Sequence, residues 1–348
     1  MKIGFDAKRY FNNTTGLGNY ARWLINSLPQ DQIESILYQP KNTEESSFYP
    51  ISYPKSWHKW FPSLWRSTFI CAQLQNEQID IYHGLSNELP FGIHKLNLKT
   101  VVTIHDLINL RYPENYRRID RFFYKKKLTY AQKYATKIIV PSEQTKNDLL
   151  RYFNTDPSKI QVIPLSLPKP VLATQTVNPS NYILCVSGFS KRKNLEMLLD
   201  AYKHVPGTAR LLLVGKEGDT FKRIQKKAKE DDRIELKQNV TDKELSQLYS
   251  DALFCIYPSL FEGFGLPILE AFQHGKTVAT SNISSMPEVG GNAATYFDPH
   301  NIASVKEALE FLFIESNRKQ NELEIPKQLA LFNSNDLINK YIQLYKSL

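Results

Sequence analysis

Cysteine is scarce in this chain: three in 348 residues, at 71, 185 and 255, with no CxxC spacing. That excludes a disulfide framework or a zinc ribbon and suits a reducing compartment, so a cytoplasmic location is expected. No run of about 18 apolar residues occurs, which argues against a membrane-spanning helix, and the opening MKIGFDAKRY reads as a strand rather than a secretory leader. Low-complexity tracts, short-period repeats and DxD triplets are also missing. The first glycine loop, GLGNYA at 16–21, lacks the third glycine of the dinucleotide fingerprint, which argues against a nicotinamide dehydrogenase. What is there is ordinary globular composition, 42% hydrophobic and 23% charged, in a length that fits about two domains.

Lys and Arg number 44 against 35 Asp and Glu, a formal net charge of +9 that suits an anionic partner. Much of the excess lies between Arg111 and Lys137, including Arg117, Arg118, Arg121 and the run Lys125, Lys126, Lys127. Phe122, Tyr124, Leu128 and Ala131 recur there at helical spacing, so RRIDRFFYKKKLTYAQKYA predicts an amphipathic helix with a basic face. Two readings stand side by side: a solvated face, or contact with an anionic membrane surface. The aromatic cluster WHKWFPSLW at 57–65 adds to the second. The basic residues do not interleave with a recognition motif, so nucleic acid is not an expected partner.

Strand and helix patterns alternate throughout. In the first half MKIGFDA, IDIYHG (79–84), TVVTIHD (100–106) and KIIVPS (137–142) read as strands. Helical patterns fall at 18–29, around 63–77, in the basic segment and at 143–153, where Ser142 is the expected N-cap. The second half repeats this grammar from NYILCVSG (181–188) and ARLLLVG (209–215) through LFCIYPS, KTVATSN and ATYFDP. Short apolar strands without clean alternation, separated by helices, predict parallel sheets covered on both faces. The expected fold class is α/β, with two doubly wound Rossmann-like domains at 1–165 and 181–325. Pro168, Pro170 and Pro179, with no helical period, mark 166–180 as a linker. After Pro299 the pattern is helical, with a polar break near 315–325, and 326–348 reads as a C-terminal helix, packing back on the first domain being one option. Such sheets bind ligands at the carboxyl ends of their strands, and a cleft between two of them can grip both ends of one molecule.

The most informative stretch is YPSLFEGFGLPILEAFQHGKTVATSNISSMPEVGG, 257–291. A strand, the glycine loop after Glu262 and a helix opened by Pro267 and closed by Gly275 follow in order. A helix N-terminus exposes unpaired N–H groups and about half a positive charge, so the loop predicts an anion site. Glu270 lies eight residues beyond Glu262, which argues against the paired carboxylates of a glycosidase and for separate roles. It is either a ligand for sugar or ribose hydroxyls or a plain helix-face carboxylate. At 16–20, Gly16 and Gly18 allow close backbone approach to a phosphate. TIHD (103–106) puts His105 at a carboxyl strand end, as a catalyst or a structural hydrogen-bonder, with Asp106 either orienting it or capping the next turn. Arg192 and Lys193 precede a helix whose dipole they oppose, which points to an anionic ligand or to a solvated loop.

Two glutamates with seven residues between them, enclosing GFGLPIL and preceded by YPSLF, resemble the signature of retaining glycosyltransferases of the GT-B fold, family four (glycosyltransferase group 1), and the likeness covers nearly the whole chain. The resemblance implies that Glu262 lies near the transferred sugar, that Glu270 binds the ribose, and that the Gly263, Phe264, Gly265 and Leu266 backbone meets sugar and phosphate. It implies that Gly16 and Gly18 reach the donor diphosphate and that His105 sits by the sugar and acceptor. Lys193 of the RKN element would neutralise the leaving diphosphate, with Arg192 compensating for an arginine that Gly188 replaces. Val240, Thr241 and Asp242 match the region beside the base, and SSMPE (284–288) the loop after the next strand.

The implied activity is retaining transfer of a hexose from a nucleotide-diphosphate sugar to a saccharide or lipid-linked acceptor in cell-surface polysaccharide or lipopolysaccharide synthesis. Because the RKN element often accompanies bacterial mannosyltransferases, GDP-mannose is the first choice of donor, ahead of UDP-sugars. No cofactor is expected. With no DxD triplet, and with Asp231 and Asp232 in a charged helix end, no metal is expected either. Lipid-linked acceptors would bring the protein to the inner face of the plasma membrane as a peripheral protein. The alternative is a non-catalytic GT-B subunit that binds nucleotide-sugar or glycan and keeps both glutamates.

Overall fold

A computed structural model describes residues 1–11, 13, 15–43, 47–167 and 180–348, with the side chains of all but Ser56 and Trp57. The proline-rich linker, with Pro168, Pro170 and Pro179, lies outside the described residues apart from its ends. The chain forms two compact units, residues 1–166 with 334–348, and residues 167–333.

The first unit holds strands β1 (Lys2–Asp6), β2 (Glu34–Tyr38), β3 (Ile51–Ser52), β4 (Ile81–Gly84), β5 (Lys99–Thr103), β6 (Lys137–Val140) and β7 (Ile160–Val162). They pair only in parallel, in the order β3-β2-β1-β4-β5-β6-β7. The order reverses between β1 and β4, the topological switch point of a doubly wound sheet. Strands β2, β3 and β7 have no counterpart in the sequence reading; β3 and β7, of two and three residues, are short runs at the two edges of the sheet, whereas β2 has five residues, as β1 does. The expected N-cap holds: Ser142 Oγ accepts from the Thr145 amide at 3.1 Å and opens the Glu143–Phe153 helix.

That switch point is filled with charge. Asp6, at the end of β1, and Glu88, beyond β4, both bind the buried Arg66 guanidinium, and Lys127 closes the cluster 2.6 Å from Glu88. Burial alone would raise the Asp6 carboxyl, but Arg66 outweighs it and holds the group below its ordinary value. A void of only about 10 Å³ remains among Asp6, Arg66, Tyr82 and Glu88.

The Ser334–Lys346 helix belongs to this unit and buries Leu337, Ile338, Tyr341, Leu344 and Tyr345. A hydrogen-bonded chain receives it: His83 meets Tyr345 Oη at 2.7 Å and Thr103 Oγ1 at 2.8 Å, and Tyr20 Oη joins Thr103 to Tyr341. Burial drives the His83 imidazole down to about 3, so it folds neutral.

The second unit holds β8 (Tyr182–Val186), β9 (Arg210–Val214), β10 (Ile234–Lys237), β11 (Phe254–Tyr257), β12 (Val278–Ser281) and β13 (Ala294–Phe297), parallel in the order β10-β9-β8-β11-β12-β13. Here the switch point lies between β8 and β11. The segment expected to break at 315–325 is instead part of a helix, Glu315–Ala330. Polar contacts rather than apolar periodicity support it: Arg318 Nη1 donates to the Leu312 and Phe313 carbonyls at 2.7 and 2.9 Å, and Asn321 Nδ2 donates to Thr295 Oγ1 at 2.9 Å. No helix among the described residues is long and apolar enough to cross a membrane.

A histidine that is neutral when folded and protonated when unfolded makes the unfolded state bind more protons, so stability falls as pH drops below the unfolded value near 6.5. Urea unfolding should show the His83 contribution weakening by about 2 kcal/mol between pH 7 and pH 5. A His83→Gln variant whose loss of stability with acid matches that of the parent would contradict this account.

Candidate active site

The second unit's site starts at its switch point. Two loops leave the carboxyl ends of the neighbouring strands β8 and β11, and the Leu260 amide binds the Arg192 carbonyl at 2.8 Å, tying one to the other. Glu262 is held there by two cations. Arg192 Nη1 binds its carboxylate and also donates to the Phe261 carbonyl at 3.2 Å, while Lys193 Nζ lies 2.7 Å from Glu262 Oε1. Lys193 Nζ also donates to Tyr257 Oη at 2.6 Å and stands 4.7 Å from that ring's centroid. Burial would raise the Glu262 carboxyl, but Lys193 and Arg192 bring it down to about 2, so it stays ionised. Burial pulls the Lys193 ammonium below its ordinary value, with Glu262 opposing.

Beyond Glu262 the backbone is clamped by two serines. Ser284 Oγ accepts from the Glu262 amide at 3.2 Å and donates to the Glu262 carbonyl at 2.8 Å. The buried Ser285 hydroxyl faces the Glu262 and Phe264 carbonyls, with one proton to give to the pair. Gly265 has φ +126°, open to glycine and strained for other residues, and N-caps the Leu266–Gln273 helix. The amides of Phe264, Gly265 and Leu266 find no acceptor among the described residues. They are the orphan donors of a helix N-terminus.

One turn further along, Glu270 is half-buried and accepts from Tyr249 Oη at 2.7 Å. Burial raises its carboxyl, with the Tyr249 hydrogen bond and the Lys193 charge opposing. Tyr249 stacks on His274 at 5.2 Å, and His274 donates through Nδ1 to the Glu270 carbonyl at 2.7 Å. Val240 lies half-buried beyond β10, just before the Asp242–Asp251 helix, whose Thr241 and Glu244 form a reciprocal capping box. Asp231 is engaged by Arg233 at 2.7 Å.

The first unit carries the other expected residues. Gly16 opens the Gly16–Ser27 helix. A Cβ on Gly18 would lie 1.9 Å from the Asn13 carbonyl oxygen, so a close approach within the chain already demands glycine at that position. His105 follows β5 and is buried, donating through Nε2 to the Leu85 carbonyl at 2.9 Å. Burial pulls it down to about 4, so it is neutral and presents Nδ1 as an acceptor. Asp106 Oδ1 caps the Ile108 amide at 3.1 Å. Sequence reasoning missed Tyr257 and Tyr249 as site residues, and it had Ser285 only as part of the SSMPE loop, without its hydrogen bonds to the Glu262 and Phe264 carbonyls. Only Tyr257 had a usable signal, a polar tip on the last residue of an apolar strand at a ligand-binding edge.

Two doubly wound parallel sheets, the second with an ion-paired glutamate beside a glycine-opened helix, define a protein of the GT-B fold class. Residues 173–325 match the family model of glycosyl transferases group 1, and residues 14–166 match that of glycosyltransferase family 4. The chain belongs to the group 1 glycosyltransferases of the GT-B fold. It is 32% identical over 244 residues to O-antigen chain mannosyltransferase B of Escherichia coli, a match over 65% of this chain and 63% of that protein. In fold it resembles sucrose-phosphate synthase from Thermosynechococcus elongatus, TM-score 0.81 at 20% identity over 100% and 98% of the two chains. It also resembles Anabaena HepE in complex with UDP-glucose, TM-score 0.78 at 14% identity over 100% of each chain.

Removing the Glu262 charge leaves a buried lysine without its counter-ion. Glu262→Gln should therefore destabilise the protein by about 3 kcal/mol in chemical denaturation, the size seen when one partner of a buried ion pair is lost. A change under about 0.5 kcal/mol, the range of an ordinary surface substitution, would show that Lys193 does not depend on Glu262 as its buried counter-ion.

Proposed function

We propose that this protein is a retaining hexosyltransferase that moves mannose from GDP-mannose to a saccharide or lipid-linked acceptor in cell-surface polysaccharide synthesis. The carrying observation is an ionised Glu262 between Arg192 and Lys193, next to three unpaired amides at a helix mouth. The likeness to an O-antigen mannosyltransferase supports the choice of sugar and acceptor class.

In the proposed reaction the bond between the anomeric carbon and the diphosphate oxygen breaks, the acceptor hydroxyl oxygen bonds to that carbon, and the hydroxyl proton passes to the departing diphosphate; on the way negative charge builds on the diphosphate and positive character on the sugar. Fixed amide dipoles of Phe264 to Leu266 and the Lys193 and Arg192 charges stabilise the first without reorganising. Glu262, ionised at neutral pH, is no proton donor. It stabilises the sugar cation or holds its hydroxyls. Glu270 takes the ribose hydroxyls, Val240 lies by the base, Gly16 approaches the diphosphate, and His105 accepts a sugar hydroxyl at Nδ1. This chemistry runs without a divalent ion, so EDTA should leave the rate unchanged. A requirement for added magnesium or manganese would overturn that part. The basic helix makes a peripheral contact with an anionic membrane surface.

Thermal unfolding against a panel of nucleotide sugars tests the reading, since a ligand of the folded state raises the midpoint by mass action. GDP-mannose should give the largest shift, and Glu270→Ala should weaken nucleotide binding about tenfold, the worth of one hydrogen bond to a charged group. Lys193→Ala should lower turnover of labelled donor more than donor affinity. Donor binding with no turnover would mark a non-catalytic sugar-binding protein, and wild-type activity in both variants would overturn the site.

A further inference from the structure

The Arg118–Tyr134 helix is divided into three strips. At about 100° per residue, Tyr124, Leu128 and Ala131 share one side, on which Leu128 and Ala131 are buried against the sheet. Arg118, Arg121 and Lys125, spaced three and four residues apart, form a second strip beside it. Ile119, Phe122 and Phe123 lie next to that strip and are 63%, 63% and 52% exposed.

The cationic strip is concave. With Leu110, Phe122 and Tyr152, the three cations line a cavity of about 500 Å³. Nearby charges are already neutralised, Lys127 by Glu88 at 2.6 Å and Arg111 by Asp148 at 2.8 Å. The side chains of Arg118, Arg121 and Lys125 have no ion pair or hydrogen bond among the described residues. Asp120, the single acid on this helix, is turned away from them by the same helical geometry. Three like charges around one cavity repel one another unless an anion lies between them, and two arginine forks match the oxygens of a phosphate.

We propose that this cavity binds the phosphate of an anionic lipid while Ile119, Phe122 and Phe123 enter the apolar margin of the bilayer. A soluble phosphate would account for the cations but not for three exposed apolar side chains beside them. An amphiphile accounts for both. The proposal rests on the membrane reading of this helix, gives it a specific ligand, and is independent of the donor chemistry.

The test is sedimentation of the full-length protein with vesicles of phosphatidylcholine alone or mixed with phosphatidylglycerol, at low salt. The protein should bind only the mixed vesicles. The triple variant Arg118→Ala, Arg121→Ala, Lys125→Ala should bind them roughly a hundredfold more weakly, at about 1 kcal/mol per cation near the surface. A control triple variant, Lys222→Ala, Lys226→Ala, Lys229→Ala, removes the same charge from exposed positions of the other unit and should bind as the parent does. Equal weakening in both variants would assign binding to net charge and overturn the cavity. Binding lost with Ile119→Ser, Phe122→Ser, Phe123→Ser but kept by the cation variant would overturn the cavity and leave the membrane contact standing. Absence of vesicle binding by the parent would overturn both. Displacement by glycerol phosphate with the affinity of the vesicles themselves would overturn the lipid in favour of a small anion.

Discussion

The second unit depends on one ionic contact, the Glu262 carboxylate shared by Arg192 and Lys193. Taking a carboxylate and an ammonium out of water costs several kcal/mol each, so Glu262 and Lys193 stay charged there as partners, with the more exposed Arg192 adding a second cation. Together they join the loops that leave β8 and β11, and they set where the following backbone runs. The serine clamp then fixes the turn at Gly265, and the turn exposes the amides. The triad also explains the local conflict of two cations before a helix N-terminus. One carboxylate neutralises one of them, which leaves one positive charge beside the unpaired amides, a setting that favours an anion.

The two units share a strand order through the switch point and use it differently. In the first, Asp6, Arg66 and Glu88 occupy the carboxyl edge between β1 and β4 and leave almost no void. In the second, the same topological position holds a charged but incompletely satisfied group of donors. Identical topology therefore does not give identical sites. What distinguishes them is whether the charges in the crevice satisfy one another. That contrast favours the second unit for the diphosphate of the proposed donor.

Much of this was legible in the sequence, because the signals were chemical rather than statistical. Glu262, the Gly263–Gly265 loop, Pro267 and Gly275 each impose a local geometry, and the observed helix, Leu266–Gln273, follows them closely. Ser142 likewise caps the helix it was expected to cap. The losses have physical causes. Strands β3 and β7 are two and three residues long at the sheet edges, too short to show a pattern. The Glu315–Ala330 helix is stabilised by polar contacts that no apolar period reveals. Gly18 was read as making room for a phosphate, yet the Asn13 carbonyl already requires the missing side chain. Tyr257 and Ser285 act through partners far along the chain, and only the fold brings them to Lys193 and to the Glu262 carbonyl.

The most direct measurement is a crystal structure of the protein with bound GDP. The account predicts diphosphate oxygens within hydrogen-bonding distance of the Phe264, Gly265 and Leu266 amides and of Lys193 Nζ, with the ribose on Glu270. A nucleotide bound elsewhere, with those amides facing only water, would contradict it.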